Sequence, residues 1–286
     1  MATQVQSPQT ETALSQTAAG SGSMILEVCW VAGRSLRKLT RNPMVLFFSL
    51  MTPMIWLVLF SQMFGKLFAR GASVGFSLPY DYVAVMLPGV ATMTAIQSAS
   101  QSGFGMVNDI ETGFMDKFFV SPIRRSSVLI GKLLADGLRM AAQAALIFLI
   151  AWVFKLIAGW RIPFATGVPG ILLIVLLTAA FGIAFSGLSN AVALRTKNTE
   201  ATMMVSFTLT FPLLFLSTAM LPGGLLPGWV QAFSAVNPVS YLANASRDLI
   251  ITGYNWGEIG SAVLAIALLG AVLNGFAVTA FRAQGK

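Results

Sequence analysis

Long apolar runs constrain this chain more than any other feature of its sequence. Six segments are dominated by Leu, Ile, Val, Phe and Ala, and each is about as long as the ~20 helical residues that cross a bilayer core. Within lipid a backbone must satisfy its own hydrogen bonds, and a helix does so inside one segment. We therefore expect an all-α integral membrane protein with six transmembrane helices, at about 44–65, 83–107, 137–158, 167–194, 200–221 and 259–281.

The composition supports a membrane protein and argues against several classes of function. Only 10% of the 286 residues are charged, whereas soluble domains carry roughly 25% charged residues. The chain has no His and a single Cys29, so we expect neither a metal site nor catalytic residues. The net charge of +8 does not indicate nucleic-acid binding, because the basic residues lie at the ends of the predicted spans.

The positions of Lys and Arg predict the orientation of the chain. If the N-terminus is cytosolic, 13 of the 18 basic residues fall on the inner side and the other five on the outer side. Short cytoplasmic loops carry such an excess. We therefore expect both termini in the cytosol.

Two segments precede the first predicted span. Residues 1–23 are polar and low in complexity, which predicts a disordered cytosolic tail. Residues 27–41 predict an amphipathic helix lying in the membrane interface. Its charged side carries Arg34, Arg37, Lys38 and Arg41, together with Trp30, which suggests a protein contact.

Three prolines interrupt the apolar stretch between the fifth and sixth predicted spans. Pro222, Pro227 and Pro238 break a segment that is otherwise apolar enough to enter a membrane. Irregular backbone at membrane depth must be buried in protein, so we expect short re-entrant helices dipping from the outer face. One additional full span is the alternative, and the prolines disfavour it.

The predicted spans indicate that the chain does not energise transport by itself. Their central portions contain no Asp, Glu, Lys or Arg, and an ion-coupled carrier usually needs such a residue there. The P-loop pattern for nucleotide binding is also absent. A chain of this kind needs a separate source of energy.

The block ETGFMDKFFVSPIRRSSVLIGK, residues 111–132, lies between the second and third predicted spans. As a helix it would gather Phe114, Met115, Phe118 and Phe119 into one apolar stripe, ended by Pro122. The stripe suits either docking into the groove of a soluble partner or lying on lipid. The residues alone leave both alternatives open.

Two separated stretches resemble one transporter family. The stretch NDIETGFMDKFFVSPIRRSSVLIGKLL is similar to the cytosolic loop of type-2 ABC exporter permeases, in which a Glu-x-Gly element (Glu111 and Gly113 here) precedes an apolar helix and a Ser-Pro pair. The stretch TFPLLFLSTAMLPGGLLPGWVQAFSAVNPVSYLANASRDL resembles the C-terminal signature of the same family. The resemblance covers residues 24–286, an ABC type-2 transmembrane domain, and is nearest to the daunorubicin-resistance-type drug and lipid exporters.

This resemblance implies a permease that moves amphipathic drugs or lipids out across a bacterial cytoplasmic membrane. It implies two cytosolic ABC ATPase subunits carrying ATP and Mg, a second permease protomer, and no cofactor on this chain. Residues 27–41 would be the connecting helix, with Trp30, Arg34, Arg37, Lys38 and Arg41. The cytosolic coupling helix and its flanks would comprise Glu111, Gly113, Phe114, Met115, Phe118, Phe119, Pro122 and Arg124. Glu111 would pair with Arg37, Lys38 or Arg41 of the connecting helix.

Aromatic and weakly polar residues in three spans are the candidates for a substrate path. They are Trp56, Phe60, Met93, Gln97, Phe207, Phe211 and Phe215. The second span also contains Thr94, Ser98 and Gln101. An outer gate would include Pro222, Pro227, Pro238 and Arg247. Ordinary helix packing is the alternative for the path residues. For the whole chain, the alternatives are export of lipid-linked glycans and a non-transporting membrane anchor.

Overall fold

The computed structural model describes residues 43–70, 80–112 and 125–283, and all regular structure in those ranges is helical. The helices are α1 Pro43–Arg70, α2 Tyr82–Glu111, α3 Arg125–Ala158, α4 Gly167–Thr196, α5 Thr199–Phe215, a 3₁₀ turn Gly223–Leu225, α6 Gly228–Ser234, α7 Pro238–Ile251 and α8 Trp256–Ala283. The all-α prediction is confirmed for this part of the chain. The predicted tail 1–23, the interfacial helix 27–41 and the coupling segment 113–124 lie outside the described residues.

Five described helices are long and apolar enough to cross a membrane: α1, α2, α3, α4 and α8. The predicted fifth span corresponds to α5, which has 17 residues and is therefore about 25 Å long. It ends at Phe215 rather than at residue 221. Helix α3, in contrast, is longer than the predicted third span. It begins at Arg125, and its apolar part begins at Ile130 instead of residue 137.

Asn237 explains why α5 ends early. Its side-chain amide donates hydrogen bonds to the carbonyl oxygens of Leu213, at 2.7 Å, and Leu216, at 3.0 Å. Its Oδ1 accepts from the backbone N–H of Val239 at 3.0 Å. Carbonyls at a helix end and N–H groups at a helix start both need partners. One buried side chain therefore caps the end of α5 and the start of α7.

Helix α2 is the centre of the bundle. It packs against α1, α3, α4, α5 and α7, and most of its residues are buried. Glycines allow its backbone to approach its neighbours closely, as small residues do in membrane bundles. A Cβ atom at Gly89 would lie 1.9 Å from the carbonyl oxygen of Ala219, and one at Gly103 would lie 2.6 Å from that of Ser189.

The three prolines after α5 each stand at the start of a short helix. Pro222 precedes the 3₁₀ turn, Pro227 precedes α6, and Pro238 is the first residue of α7. Proline suits that position because its missing N–H would lack a helical partner there anyway. Helix α7 has 14 residues, about 21 Å, so neither it nor α6 is long enough to span a bilayer.

Candidate functional site

A line of polar and charged side chains joins α2 to α3 over about a third of their length. On α3 these residues are spaced by four, three and four positions, which places them on one helix face. We call this set the α2–α3 ladder: Ser98, Ser102 and Asp109 on α2, with Lys132, Asp136, Arg139 and Gln143 on α3.

Two ionic contacts lie nearest the Glu111 end of α2, one between α2 and α3 and one within α3. Lys132 Nζ lies 3.7 Å from Asp109 Oδ2, and the two side chains are 15% and 21% exposed. Arg139 pairs with Asp136 at 3.4 Å, and Asp136 also accepts a hydrogen bond from Ser102. Charges removed from water must be paired, so these contacts are mutually dependent.

Amide and hydroxyl contacts continue the ladder towards the middle of the bundle. Arg139 Nη2 donates to the carbonyl oxygen of Ser98 at 2.7 Å, and the Ser98 hydroxyl donates to Gln143 Oε1 at 2.5 Å. Gln143 Nε2 donates in turn to Ser49 Oγ on α1 at 2.7 Å. The ladder therefore fixes the rotation and register of α3 on α2 and ties both helices to α1.

Sequence reasoning did not identify this ladder. It treated Lys132 and Arg139 as interfacial cations and placed the start of the third span at residue 137. Both residues instead lie within the apolar span Ile130–Ile157 and are paired. The spacing of the polar residues on α3, together with the serines of α2, could have indicated from the sequence that these two helix faces pack together.

Glu111 is the single residue of the predicted coupling set that the structure describes. It is exposed and ends α2, two residues beyond Asp109 of the ladder. The other predicted coupling residues and the connecting-helix residues lie outside the described ranges. The described chain therefore gives the position of Glu111 without its predicted partners Arg37, Lys38 and Arg41.

The aromatic residues of α1 form a stacked column. The ring centroids of Trp56 and Phe60 are 5.2 Å apart, and those of Phe60 and Phe64 are 5.6 Å apart. Phe64 in turn contacts the ring of Tyr82 on α2 at 5.5 Å. Phe60 and Phe64 pack against the buried core. Packing thus accounts for part of this column, and Trp56 at its end is half-buried.

One stripe of α2 reaches the surface. Met93, Gln97, Gln101 and Phe104 are partly exposed, whereas most of the helix is buried. Thr94 and Ser98 are buried, and they hydrogen-bond to Val90 O and Gln143 respectively. The four polar residues predicted from the second span therefore separate into an internal pair and a surface pair, Gln97 and Gln101.

Helix α5 carries an exposed aromatic face. Phe207, Phe211 and Phe215 are 57%, 64% and 44% exposed, and the rings of Phe211 and Phe215 are 4.4 Å apart. The opposite side of α5 buries Thr202, Ser206 and Leu214 against the bundle. Helices α1 and α5 both pack on α2, yet among the described residues they share no extensive contact. The candidate path residues thus surround α2 without closing a pocket within one chain.

Arg247 links three parts of the chain at the other end of the bundle. Its guanidinium donates to Thr218 O at 2.5 Å, to Asn244 Oδ1 at 3.0 Å and to Val85 O at 3.3 Å. Burial lowers its pKa to about 10, so it remains charged at neutral pH. Tyr82 reinforces this arrangement by donating to Met220 O at 2.8 Å. Residues 216–222 are therefore fastened to α2 and α7, and Arg247 is the common point.

Comparison with known proteins gives a family and several relatives. Residues 27–251 match the family described as ABC-2 type transporter. Daunorubicin resistance ABC transporter permease protein DrrB1 of Streptomyces coeruleorubidus is 28% identical over 250 residues, which cover 87% of this chain and 83% of that protein.

Two further relatives cover similar shares of the chain. Putative transport permease ycf38 of Cyanophora paradoxa is 28% identical over 227 residues, 79% of this chain and 74% of that protein. Probable doxorubicin resistance ABC transporter permease protein DrrC of Mycobacterium tuberculosis is 24% identical over 221 residues, 77% of this chain and 75% of that protein.

Proposed function

The chain belongs to the ABC-2 type transporter family, and on that basis we propose that it is the permease subunit of an exporter for amphipathic drugs or lipids. The observation that carries this proposal is its similarity, over 87% of its length, to a permease whose name records daunorubicin resistance. The chain is a multi-pass membrane protein, and we propose that it lies in a bacterial cytoplasmic membrane. Helix α5, in this proposal, forms the fifth of six spans together with residues beyond Phe215.

Energy for transport, in this proposal, comes from two separate ABC ATPase subunits that bind ATP and Mg. They dock on the cytosolic side, where the segment after Glu111 forms the coupling helix. Glu111 would pair there with a basic residue of the connecting helix. The α2–α3 ladder supports this role, because it clamps together the two helices that the loop connects. A displacement of the loop would then move α2 and α3 as one unit.

The substrate path that we propose runs along the surface stripe of α2, between α1 and α5. The exposed faces of Phe207, Phe211 and Phe215 would supply aromatic walls, and Gln97 would supply a polar contact. A second permease protomer would close the path from the other side. An apolar pocket with few polar groups suits an amphipathic ligand, and burial of such a ligand contributes about 25 cal/mol per Å².

Replacing Phe211 and Phe215 by Ala tests this path. The permease and its ATPase would be reconstituted in liposomes with ATP and no ion gradient, and export of daunorubicin followed. We expect the double variant to lose substrate-stimulated ATP hydrolysis and export while basal hydrolysis persists. The matched control is Leu264→Ala with Leu268→Ala, since these residues are 62% and 60% exposed on α8.

Two results would contradict the proposal in different ways. Equal export by the parent and the Phe211/Phe215 variant would show that these two rings do not line the substrate path. Export that continues without ATP and stops with a protonophore would overturn the assignment of the energy source.

Replacing Phe118 and Phe119 by Ala tests the proposed coupling helix. Truncating docked aromatic anchors should cost several kcal/mol at an interface, so the ATPase should no longer co-purify with a variant that still inserts in the membrane. Trp229→Ala with Phe233→Ala removes two exposed aromatics from α6 and serves as the control. Co-purification as tight as with the parent would show that these phenylalanines do not dock the ATPase.

A further inference from the structure

A groove between α3 and α4 has no role in the transport path proposed above, and no proposed path residue lines it. Its volume is about 380 Å³, within the range of roughly 300–1,000 Å³ that ligand sites occupy. One wall is a single face of α3, and the other is formed by residues 163–171. Its principal lining residues are Ala145, Phe148, Leu149, Trp152, Lys155 and Val168.

The length of this groove matches one leaflet of a bilayer. From Ala145 to Lys155 the helix rises about 15 Å, which is half of a hydrocarbon core about 30 Å thick. Leu149, Trp152 and Val168 are 53%, 50% and 78% exposed along it. The groove is therefore open to lipid along its length and carries its cation at one end.

Lys155 has no carboxylate partner among the described residues. Its Nζ lies 5.3 Å from the centroid of the Phe164 ring. Phe164 has a φ of 45°, a backbone conformation that is unfavourable for a bulky residue and persists only where surrounding structure enforces it. The chain thus holds an aromatic ring beneath an ammonium group that, in the part of the chain the structure describes, has no carboxylate partner, and both lie at the mouth of the groove.

Aromatic side chains mark the same level of the bundle. Trp152 lines the groove, and Trp160 stacks on Phe154 with ring centroids 4.9 Å apart. Tryptophans of membrane proteins concentrate at the height of the lipid headgroups. Lys155 is therefore at a height where it can meet a phosphate group.

We propose that this groove binds one anionic phospholipid of the surrounding bilayer. An acyl chain lies between α3 and α4 against Phe148 and Leu149, and Lys155 contacts the headgroup phosphate. The unpaired cation favours a lipid with a net negative charge over a zwitterionic one. The site is separate from the drug path, because α3 and residues 163–171 line it and none of the proposed path residues does.

Fluorescence quenching by brominated lipids tests this site. The purified permease is placed in phosphatidylcholine nanodiscs that contain a minor fraction of lipid with brominated acyl chains, on either a phosphatidylglycerol or a phosphatidylcholine headgroup. We expect the brominated phosphatidylglycerol to quench tryptophan fluorescence more strongly at equal fraction. Trp152→Phe should remove most of that difference, because Trp152 lies in the groove.

Substitutions at Lys155 test the role of the charge. Lys155→Gln should raise the phosphatidylglycerol fraction needed for half-maximal quenching about fivefold, as expected for one cation at a membrane surface. Lys155→Arg should retain the preference of the parent. Arg161→Gln is the matched control, since Arg161 is an exposed cation just beyond the groove.

The proposal is wrong if parent protein is quenched equally by the two brominated lipids. It is also wrong if Lys155→Gln keeps the preference for phosphatidylglycerol or if Trp152→Phe leaves the difference in quenching unchanged. A preference lost in Arg161→Gln and kept in Lys155→Gln would assign the lipid to a different site. None of these readouts depends on drug export, so they are independent of the proposed function.

Discussion

Arg247→Lys tests whether the guanidinium group, rather than its charge alone, holds the end of the bundle together. Arg247 donates to acceptors on α2, on residues 216–222 and on α7. The donors of a lysine radiate from one nitrogen and cannot reach three separated acceptors at once. We expect Lys to keep one hydrogen bond and lose two. At about 1.5–3 kcal/mol for each bond to a charged group, the loss of two bonds should lower the free energy of unfolding by about 3–6 kcal/mol.

The measurement is unfolding of the purified permease by sodium dodecyl sulfate in mixed micelles, followed by circular dichroism. Arg161→Lys is the control, because the contacts of Arg161 with Asp81 run through backbone N–H and C=O groups that the substitution preserves. It should change the free energy by no more than about 0.5 kcal/mol. If Arg247→Lys fell within that same range, the three hydrogen bonds would not hold residues 216–222 in place.

Two further predictions use the same titration. Asn237→Ala removes the cap shared by α5 and α7 and should lower the free energy of unfolding by about 2–4 kcal/mol. The control, Asn198→Ala, removes one exposed cap bond at the start of α5 and should cost about 1 kcal/mol. Equal losses would refute the double cap. Asp136→Leu leaves Arg139, which is 18% exposed, without its carboxylate partner and should cost about 3 kcal/mol, the lower end for breaking a buried ion pair. Adding Arg139→Met should recover most of that loss, and strictly additive losses would show that the two residues do not act as a pair.

Hydrophobic runs were sufficient to predict where most helices lie. Five predicted spans correspond to helices long enough to cross a membrane, and the three prolines after α5 correctly indicated short helices there. The period and length of apolar runs are local properties, so they can be read along the chain. The end of α5 was not predictable in this way, since it depends on Asn237, a residue 22 positions beyond Phe215 that caps it through space.

The α2–α3 ladder was missed for a related reason. Counting Lys and Arg near span ends treats each cation as a signal of orientation, and it does not ask which helix faces it. Lys132 and Arg139 acquire their role only because α2 presents Asp109 and Ser98 opposite them. Phe207, Phe211 and Phe215 were predicted as substrate-path residues, and their spacing of four places them on one exposed face of α5. Their use by substrate stays a prediction.

The burial of α2 has a consequence for how the protein is made. Of the five helices long enough to span a membrane, α2 has the lowest mean hydropathy and the most buried span. Its serines and threonines are suited to protein neighbours, and a lone α2 would present them to hydrocarbon at a cost in free energy. Helix α2 should therefore not settle in lipid as it emerges from the ribosome. It would wait beside the insertion machinery until α3 is synthesised, so the earliest stable product in the membrane is a helical hairpin.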